Sequence, residues 1–233
     1  VEENELNQFL QSNRYTASAY YLLWNKAGKD LEFSTYLEAF TAIRLNKRYS
    51  SDLAEVISYS KQNQLPQIVE KYNPNSKLRL HANYTMRDVT ALYGKASIQT
   101  SGPTGTGVVH IAEKKTYIHF ITFEKTEKLF SETTMYRDYL SARNLLHWES
   151  QSPASQNSQT GENYIQQQER NYQIHTFARL RKSEGKLTSP FVYLGEADFI
   201  SAEGDRPISI VWKLKNPVTH QFFNEAKLAA GIS

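Results

Sequence analysis

The sequence predicts an α+β protein, in which a helical layer is followed by a curved antiparallel sheet or small β-barrel and then a C-terminal helix. Two observations carry this expectation. Up to about residue 94 apolar side chains recur every three to four positions, and from Ile98 onward the period falls to two. The change divides the chain into a helical connecting or docking region, 1–94, and a β-rich domain, 95–233.

In the first region the apolar positions are Leu6, Phe9 and Leu10, then Tyr20 and Leu23, then Tyr36, Phe40 and Ile43, then Leu53, Val56 and Ile57. Breaks are expected at Ala27 to Asp30, at Tyr49 to Asp52 where polar residues cap a helix entering at Leu53, and at Pro66. Thr85, followed three residues on by Asp88 and closed by Gly94, specifies a short helix with both ends written in. It reads as a packing helix, or as the first helix of a helix-turn-helix.

In the second region alternation marks strands at Gly107 to Ile111, Tyr117 to Phe123, Leu145 to Ser150, Tyr172 to Arg181, Phe191 to Ile200 and Ile208 to Leu214. Ile208, Ile210, Trp212 and Leu214 fall on one face of the last strand, and Ser209, Val211, Lys213 and Lys215 on the other. The Ser-, Gln- and Asn-rich stretch Ser150 to Gly161 reads as a flexible loop before a helix near Tyr164, and Gln221 to Ala230 as the final helix.

Composition supports a folded core, with 39% hydrophobic and 12% aromatic residues, including 15 Tyr and 11 Phe. A mean hydropathy of -0.60 and the lack of a long apolar run argue against a membrane span. Without cysteine the chain has no disulfide, thiol nucleophile or thiolate metal ligand, which fits a reducing cytoplasm. Val1 to Gln11 is acidic and lacks the basic start and apolar stretch of a signal peptide, and an opening at Val1 rather than Met reads as a piece of a longer protein. A net charge of +3 is mild, so contact with nucleic acid needs a localised basic face.

Chemical motifs are few. Ser101 to Gly107 is glycine-rich but lacks the Gly-Lys-Ser/Thr ending of a phosphate-binding loop, and reads as a turn. The six histidines are scattered without metal-ligand spacing, and His119 reads as a structural histidine on a strand. Glu113 and Lys115 form a Glu-x-Lys fragment of the kind metal-dependent nucleases use, with Asp88 as the one nearby acidic partner. No catalytic residue, metal ligand or cofactor is assigned.

The densest constellation runs from Tyr136, Asp138 and Tyr139 to His147, Trp148, Ser150 and Gln151. Aromatic planes can sandwich an extruded base while a carboxylate, hydroxyl and amide pair with its edge. The same residues also read as core aromatics with Asp138 bonding a turn, and sequence chemistry leaves both open. Arg179, Arg181, Lys182 and Lys186 form a basic strand and hairpin, suited either to tracking phosphates or to blocking strand pairing at a solvated edge.

Taken together, the runs Leu80 to Asp88, His119 to Lys125, Tyr136 to Tyr139, Leu146 to Gln151, Pro190 to Gly195 and Gly204 to Leu214 resemble a bacterial family. It is the C-terminal domain of uncharacterised function in proteins that fuse a phospholipase-D-type nuclease to a superfamily-2 helicase, the layout of SauUSI-like type IV restriction enzymes. The resemblance covers about residues 77 to 228. It implies a target-recognition domain binding double-stranded DNA that carries 5-methylcytosine or 5-hydroxymethylcytosine, with base flipping as one route. It also implies that ATP, Mg²⁺, the nuclease and the motor belong to other segments of the parent, because this chain has neither a nucleotide loop nor an HxK motif. Two rivals stand beside it: a DNA binder indifferent to modification, and a protein-docking module of the helicase-nuclease.

Overall fold

The computed structural model describes residues 3–12, 16–24, 32–62, 72–73, 78–95, 107–124 and 138–232. The chain divides into two compact units, one made of 1–69 with 85–105 and the other of 70–84 with 106–233, so the described residues 72–73 and 78–84 belong to the unit that holds the sheet. The fold is α+β with a mostly antiparallel sheet and a C-terminal helix.

The first unit holds α1 (Glu3–Ser12), α2 (Thr16–Trp24), α3 (Tyr36–Leu45), α4 (Lys47–Gln62) and α5 (Met86–Leu92). Its centre is aromatic. Tyr20 meets Tyr21 and Tyr36 edge-on at 5.9 and 5.8 Å, and Ala17, Ala39 and Ala91 leave room for these rings. Thr35 and Glu38 form a capping box on α3, and Thr85 and Asp88 form another on α5, as the Thr-x-x-acid spacing requires.

The expected break at Tyr49 to Asp52 is absent, because α4 runs straight through it. The break lies at Asn46, whose backbone N–H closes α3 on Ala42 and Ile43 while its Oδ1 accepts from Tyr49 N at 3.1 Å and starts α4. One asparagine serves as the stop of one helix and the cap of the next. Val56 and Ile57, expected on a core face, are exposed together with Tyr59. The expected breaks at Ala27 to Asp30 and at Pro66 lie outside the described residues.

In the second unit β1 (Tyr72–Asn73) pairs with β2 (Leu78–Arg79). The main sheet contains β3 (Asn83–Tyr84), β4 (Val108–Ile111), β5 (Thr116–Thr122), β6 (Tyr139–Ala142), β7 (Leu145–Glu149), β8 (Gln173–Arg179), β11 (Phe191–Glu203) and β12 (Ser209–Leu214). The short strands β9 (Ser183–Glu184) and β10 (Leu187–Thr188) form a separate hairpin between β8 and β11. The strand order is β4-β5-β8-β11-β12-β7-β6, with β3 added beside β11. Among the described residues this path is open, ending on β4 and β6.

One pairing departs from the antiparallel expectation. β5 and β8 run parallel, in register from Thr116↔Gln173 to Thr122↔Arg179, and both are buried nearly end to end. Parallel strands need covered faces, which the apolar runs of Tyr117 to Ile121 and Ile174 to Ala178 supply. Curvature enters through register shifts in β11, between Tyr193 and Gly195 and between Phe199 and Ser201. Gly195 takes φ +101 there, and a side chain would press on Leu80 Cδ1 at 3.1 Å.

Helix α6 (Gln159–Ile165) carries buried Gly161, Asn163 and Tyr164. Its polar residues tie it down, since Asn163 Nδ2 donates to Tyr117 OH at 3.1 Å and Arg170 bridges Asn163 Oδ1 and Glu162. Helix α7 (His220–Ala229) is capped by Thr219 and meets the sheet through Phe222, whose ring lies 6.3 Å from that of Phe123. The stretch before α6, expected as a flexible loop, is stitched in place. Gln156 donates to Asp205 Oδ1 and to the Gly204 carbonyl, and Ala154 and Ser155 are buried.

Candidate nucleic-acid interface

The alternation in β7 separates two environments. Leu146 and Trp148 point into the core, while Leu145, His147 and Glu149 are half-exposed on the other face. His147 lies opposite Val211 of β12 on one side and Tyr139 of β6 on the other, so the three side chains share the outer face. The rings of Tyr139 and His147 stack there at 4.3 Å with an interplanar angle of 7°. Partial burial lowers the His147 pKa from its usual value, so the ring is a neutral plane at neutral pH.

The rest of the aromatic constellation has a different place. Trp148 is only 4% exposed and stacks on buried His119 at 4.2 Å, so it offers no face to a base. Ser150 is buried as well, with its Oγ accepting from Ile208 N at 2.9 Å and its own N–H donating to the Ile208 carbonyl. Both are corrected from base contacts to parts of the core, Trp148 because its position in β7 points inward and Ser150 because it pins β12 to β7. Asp138 is buried just before β6, and its Oδ1 accepts from the backbone N–H of Glu149 in β7 at 2.9 Å, a bond across the β6–β7 pair rather than within a turn. Gln151 is half-exposed at the end of β7, and Tyr136 lies outside the described residues.

The cationic candidates also separate. Arg179 is half-buried at the end of β8, where Nε donates to Thr122 Oγ1 at 3.0 Å, Nη1 donates to the Ser189 carbonyl at 3.1 Å, and the guanidinium sits 4.3 Å over the Phe191 ring. It is a clamp across β5, β8 and the start of β11, which corrects its assignment to DNA phosphates. Arg181, Lys182 and Lys186 are exposed on the hairpin that the clamp supports, and Arg181 approaches Glu124 at 3.8 Å. This hairpin hangs from β8 and β11, whereas the Tyr139–His147 stack lies on β6 and β7 beyond β12. The structure therefore places the aromatic and basic candidates at separate parts of one sheet.

Sequence reasoning did not foresee a buried nest around His119. Its imidazole stacks on Trp148 and meets Tyr164 and Trp212 edge-on at 5.6 and 5.7 Å. Among the described residues neither His119 nitrogen, nor Tyr164 OH, nor Trp212 Nε1 has a hydrogen-bond partner. Each such group costs about 1 to 3 kcal/mol of lost hydration, which the surrounding aromatic packing has to offset. The signal was in the sequence as three aromatics and a histidine at inward positions, but their convergence depends on strand pairing.

Burial drives the His119 pKa down to about 3, and it lowers that of His175, which is bonded to Tyr193 OH at 2.7 Å. A depressed histidine pKa means that the unfolded chain takes up a proton which the folded chain refuses. Stability is therefore full above about pH 6.5 and falls as pH drops from there, toward about 3 for His119 and about 4 for His175, by up to about 1.4 kcal/mol per pH unit for each. Urea midpoints measured at pH 7.5 and 5.0 are expected to show this loss, and His119→Gln is expected to flatten it.

Three-residue clusters of His, Asp or Glu able to hold a metal ion are absent among the described residues. The described helices include none long and apolar enough to cross a membrane. The 5-hydroxymethylcytosine-specific restriction enzyme AbaSI is a structural neighbour at 11% identity and a TM-score of 0.35, over 93% of this chain and 67% of that one. Among curated proteins none matches the sequence. Residues 78–226 match the family described as a domain of unknown function, DUF3427, and because the match takes in most of the chain, this protein belongs to that family.

Proposed function

We propose that this chain is the target-recognition part of an ATP-dependent type IV restriction endonuclease and binds double-stranded DNA containing 5-methylcytosine or 5-hydroxymethylcytosine. The observation that carries the reading is the exposed basic hairpin, with Arg181, Lys182 and Lys186 held out from the sheet by the Arg179 clamp. The ordered motifs shared with the C-terminal domains of nuclease-helicase fusions support the restriction setting. In that setting the nuclease and motor, with their ATP and Mg²⁺, are other segments of the same polypeptide, and the protein is cytoplasmic. This segment then works as a reader without catalysis of its own.

The geometry supports a division of labour. Lysines on a solvated hairpin hold phosphates and give affinity without sequence preference. The half-exposed Tyr139 and His147 rings, with Gln151 nearby in sequence, supply the plane and amide for reading a base taken out of the stack. A methyl group in an apolar notch adds about 1 to 3 kcal/mol of discrimination.

Anisotropy titrations with duplexes carrying cytosine, 5-methylcytosine or 5-hydroxymethylcytosine test this reading. Several-fold tighter binding of a modified duplex, abolished by His147→Ala, supports it, while equal binding of all three makes the chain a general DNA clamp. Lys182→Ala combined with Lys186→Ala is expected to weaken all three duplexes alike and to reduce the log–log salt slope by about 2, since each phosphate contact contributes about 0.9. No binding at all sinks the reading and favours protein docking. For that reading the specific observation is the exposed Val56, Ile57 and Tyr59 of α4, and its measure is concentration-dependent association.

A further inference from the structure

The hairpin that carries the lysines also carries an apolar side chain for which binding to phosphates has no use. Residues 181–188 are exposed without interruption. Up to Leu180 the chain is zipped to its neighbour, because Phe123 and Glu124 donate to the carbonyls of Arg179 and Leu180, and Ser189 N closes the neck on the Lys182 carbonyl at 3.1 Å. Beyond the neck β9 and β10 pair through Leu187↔Glu184 and Thr188↔Ser183. They are joined by Gly185 and Lys186. Gly185 takes φ +60 at the first turn position, and a side chain built on it would meet nothing within 4 Å. The tip thus stands in open solvent on an anchored base.

Leu187 at this tip is 77% exposed. Single exposed leucines are common on protein surfaces, so its setting decides the matter. Lys186 precedes it at the turn, and the pairing puts it on the same face as Glu184 and Lys182. Arg181, Lys182 and Lys186 against Glu184, with Arg181 also reaching Glu124 at 3.8 Å, leave the hairpin net cationic, and a leucine beside Lys186 and across from Glu184 puts an apolar tip next to a cation, as a duplex whose charged backbone flanks an apolar stack requires. Proteins that deform DNA use such apolar side chains as wedges, unstacking a base step to which neighbouring cations hold them.

We infer that the β9–β10 hairpin is a DNA-probing wedge, in which Leu187 enters the base stack while Lys182 and Lys186 grip the flanking phosphates. The inference rests on the reading of the chain as a binder of duplex DNA and adds to it the element that deforms the helix. It assigns Arg179 a positioning role, since the clamp on Ser189 and Phe191 sets the direction in which the hairpin points.

The test uses the full chain and a duplex with 2-aminopurine beside a 5-methylcytosine, at about 50 mM salt where phosphate contacts are strong. Saturating wild-type protein is expected to raise the 2-aminopurine emission as the step unstacks. Leu187→Ala, exposed and harmless to the core, is expected to keep affinity within about tenfold while losing that rise, and Leu187→Phe to restore it. An undiminished rise with Leu187→Ala, or wild-type binding with no rise at all, overturns the wedge and leaves DNA recognition standing. Failure of the wild type to bind any duplex overturns both.

Discussion

Trp148→Ala is expected to cost about 3 to 5 kcal/mol of folding stability, the range for emptying a buried tryptophan site. Trp148 is buried on the inner face of β7, stacked on His119 and set among Tyr164 and Trp212 at 5.4 and 6.4 Å. Its removal opens a void that rings held by separate strands and by α6 cannot fill. It also wets His119 and Tyr164, whose burial depends on this lid. A domain with about 5 to 15 kcal/mol in hand is brought near its limit by such a loss. The measurement is a urea or thermal melt followed by circular dichroism, with Trp148→Phe expected to retain much of the stability. A variant within about 1 kcal/mol of wild type would show that this packing is not what holds the nest.

Gly161→Ala carries a prediction whose sign is opposite to helix propensity. Within a helix, replacing glycine by alanine ordinarily gains about 1 kcal/mol. Here a Cβ at 161 would overlap the Ser155 carbonyl oxygen and lie 2.8 Å from the Ser155 carbonyl carbon and 3.0 Å from Gln156 Cα. All of these are backbone atoms. The loop they belong to cannot retreat easily, because Gln156 holds Asp205 and Gly204 while Ser155 N and O both bond Ser158 Oγ. Overpacking of this kind costs about 1 to 3 kcal/mol, so the variant is expected to be less stable than wild type by an amount a denaturation midpoint resolves. A stabilised Gly161→Ala would mean that α6 sits farther from the loop than described.

Local signals were legible where they depend on neighbours in sequence. The Thr85–Asp88 box, the strands around Tyr117 to Ile121 and Ile208 to Leu214, and the final helix all follow from spacing alone. Asn46 was missed because the polar run at Ser50 to Asp52 looked like a cap, yet those residues sit in α4 behind an asparagine that had already started it. β6 escapes sequence reasoning because Tyr139–Ala142 is too short to show a period, and of its residues only Tyr139 stands out, as a member of the aromatic constellation.

The candidate site was legible as a composition but not as a placement. Alternation in Leu145 to Glu149 already separates Trp148 from His147, and applying it would have sent the tryptophan inward. That Arg179 faces Thr122 and Phe191 depends on the β5–β8 pairing and the start of β11, which join residues more than fifty positions apart or across a hairpin. Period-two patterns reveal which side of a strand is buried; they do not reveal which strand lies beside it.

The parallel register of β5 and β8 has a consequence for how the chain reaches this state. Thr116 meets Gln173 only after the whole of β6, β7 and α6 has been laid down between them. During synthesis β5 therefore waits with an apolar, unpaired flank until Arg179 has emerged, a delay of several seconds at roughly 5 to 20 residues per second. Until then its one available neighbour is β4, through the short reversal at Ala112–Lys114. Long-range pairing of this sort is slow to form and open to association with other chains while it waits. Shortened versions that stop before β8 should collect in the insoluble fraction, while those that begin late but retain β4 through α7 keep every partner the sheet needs except β3.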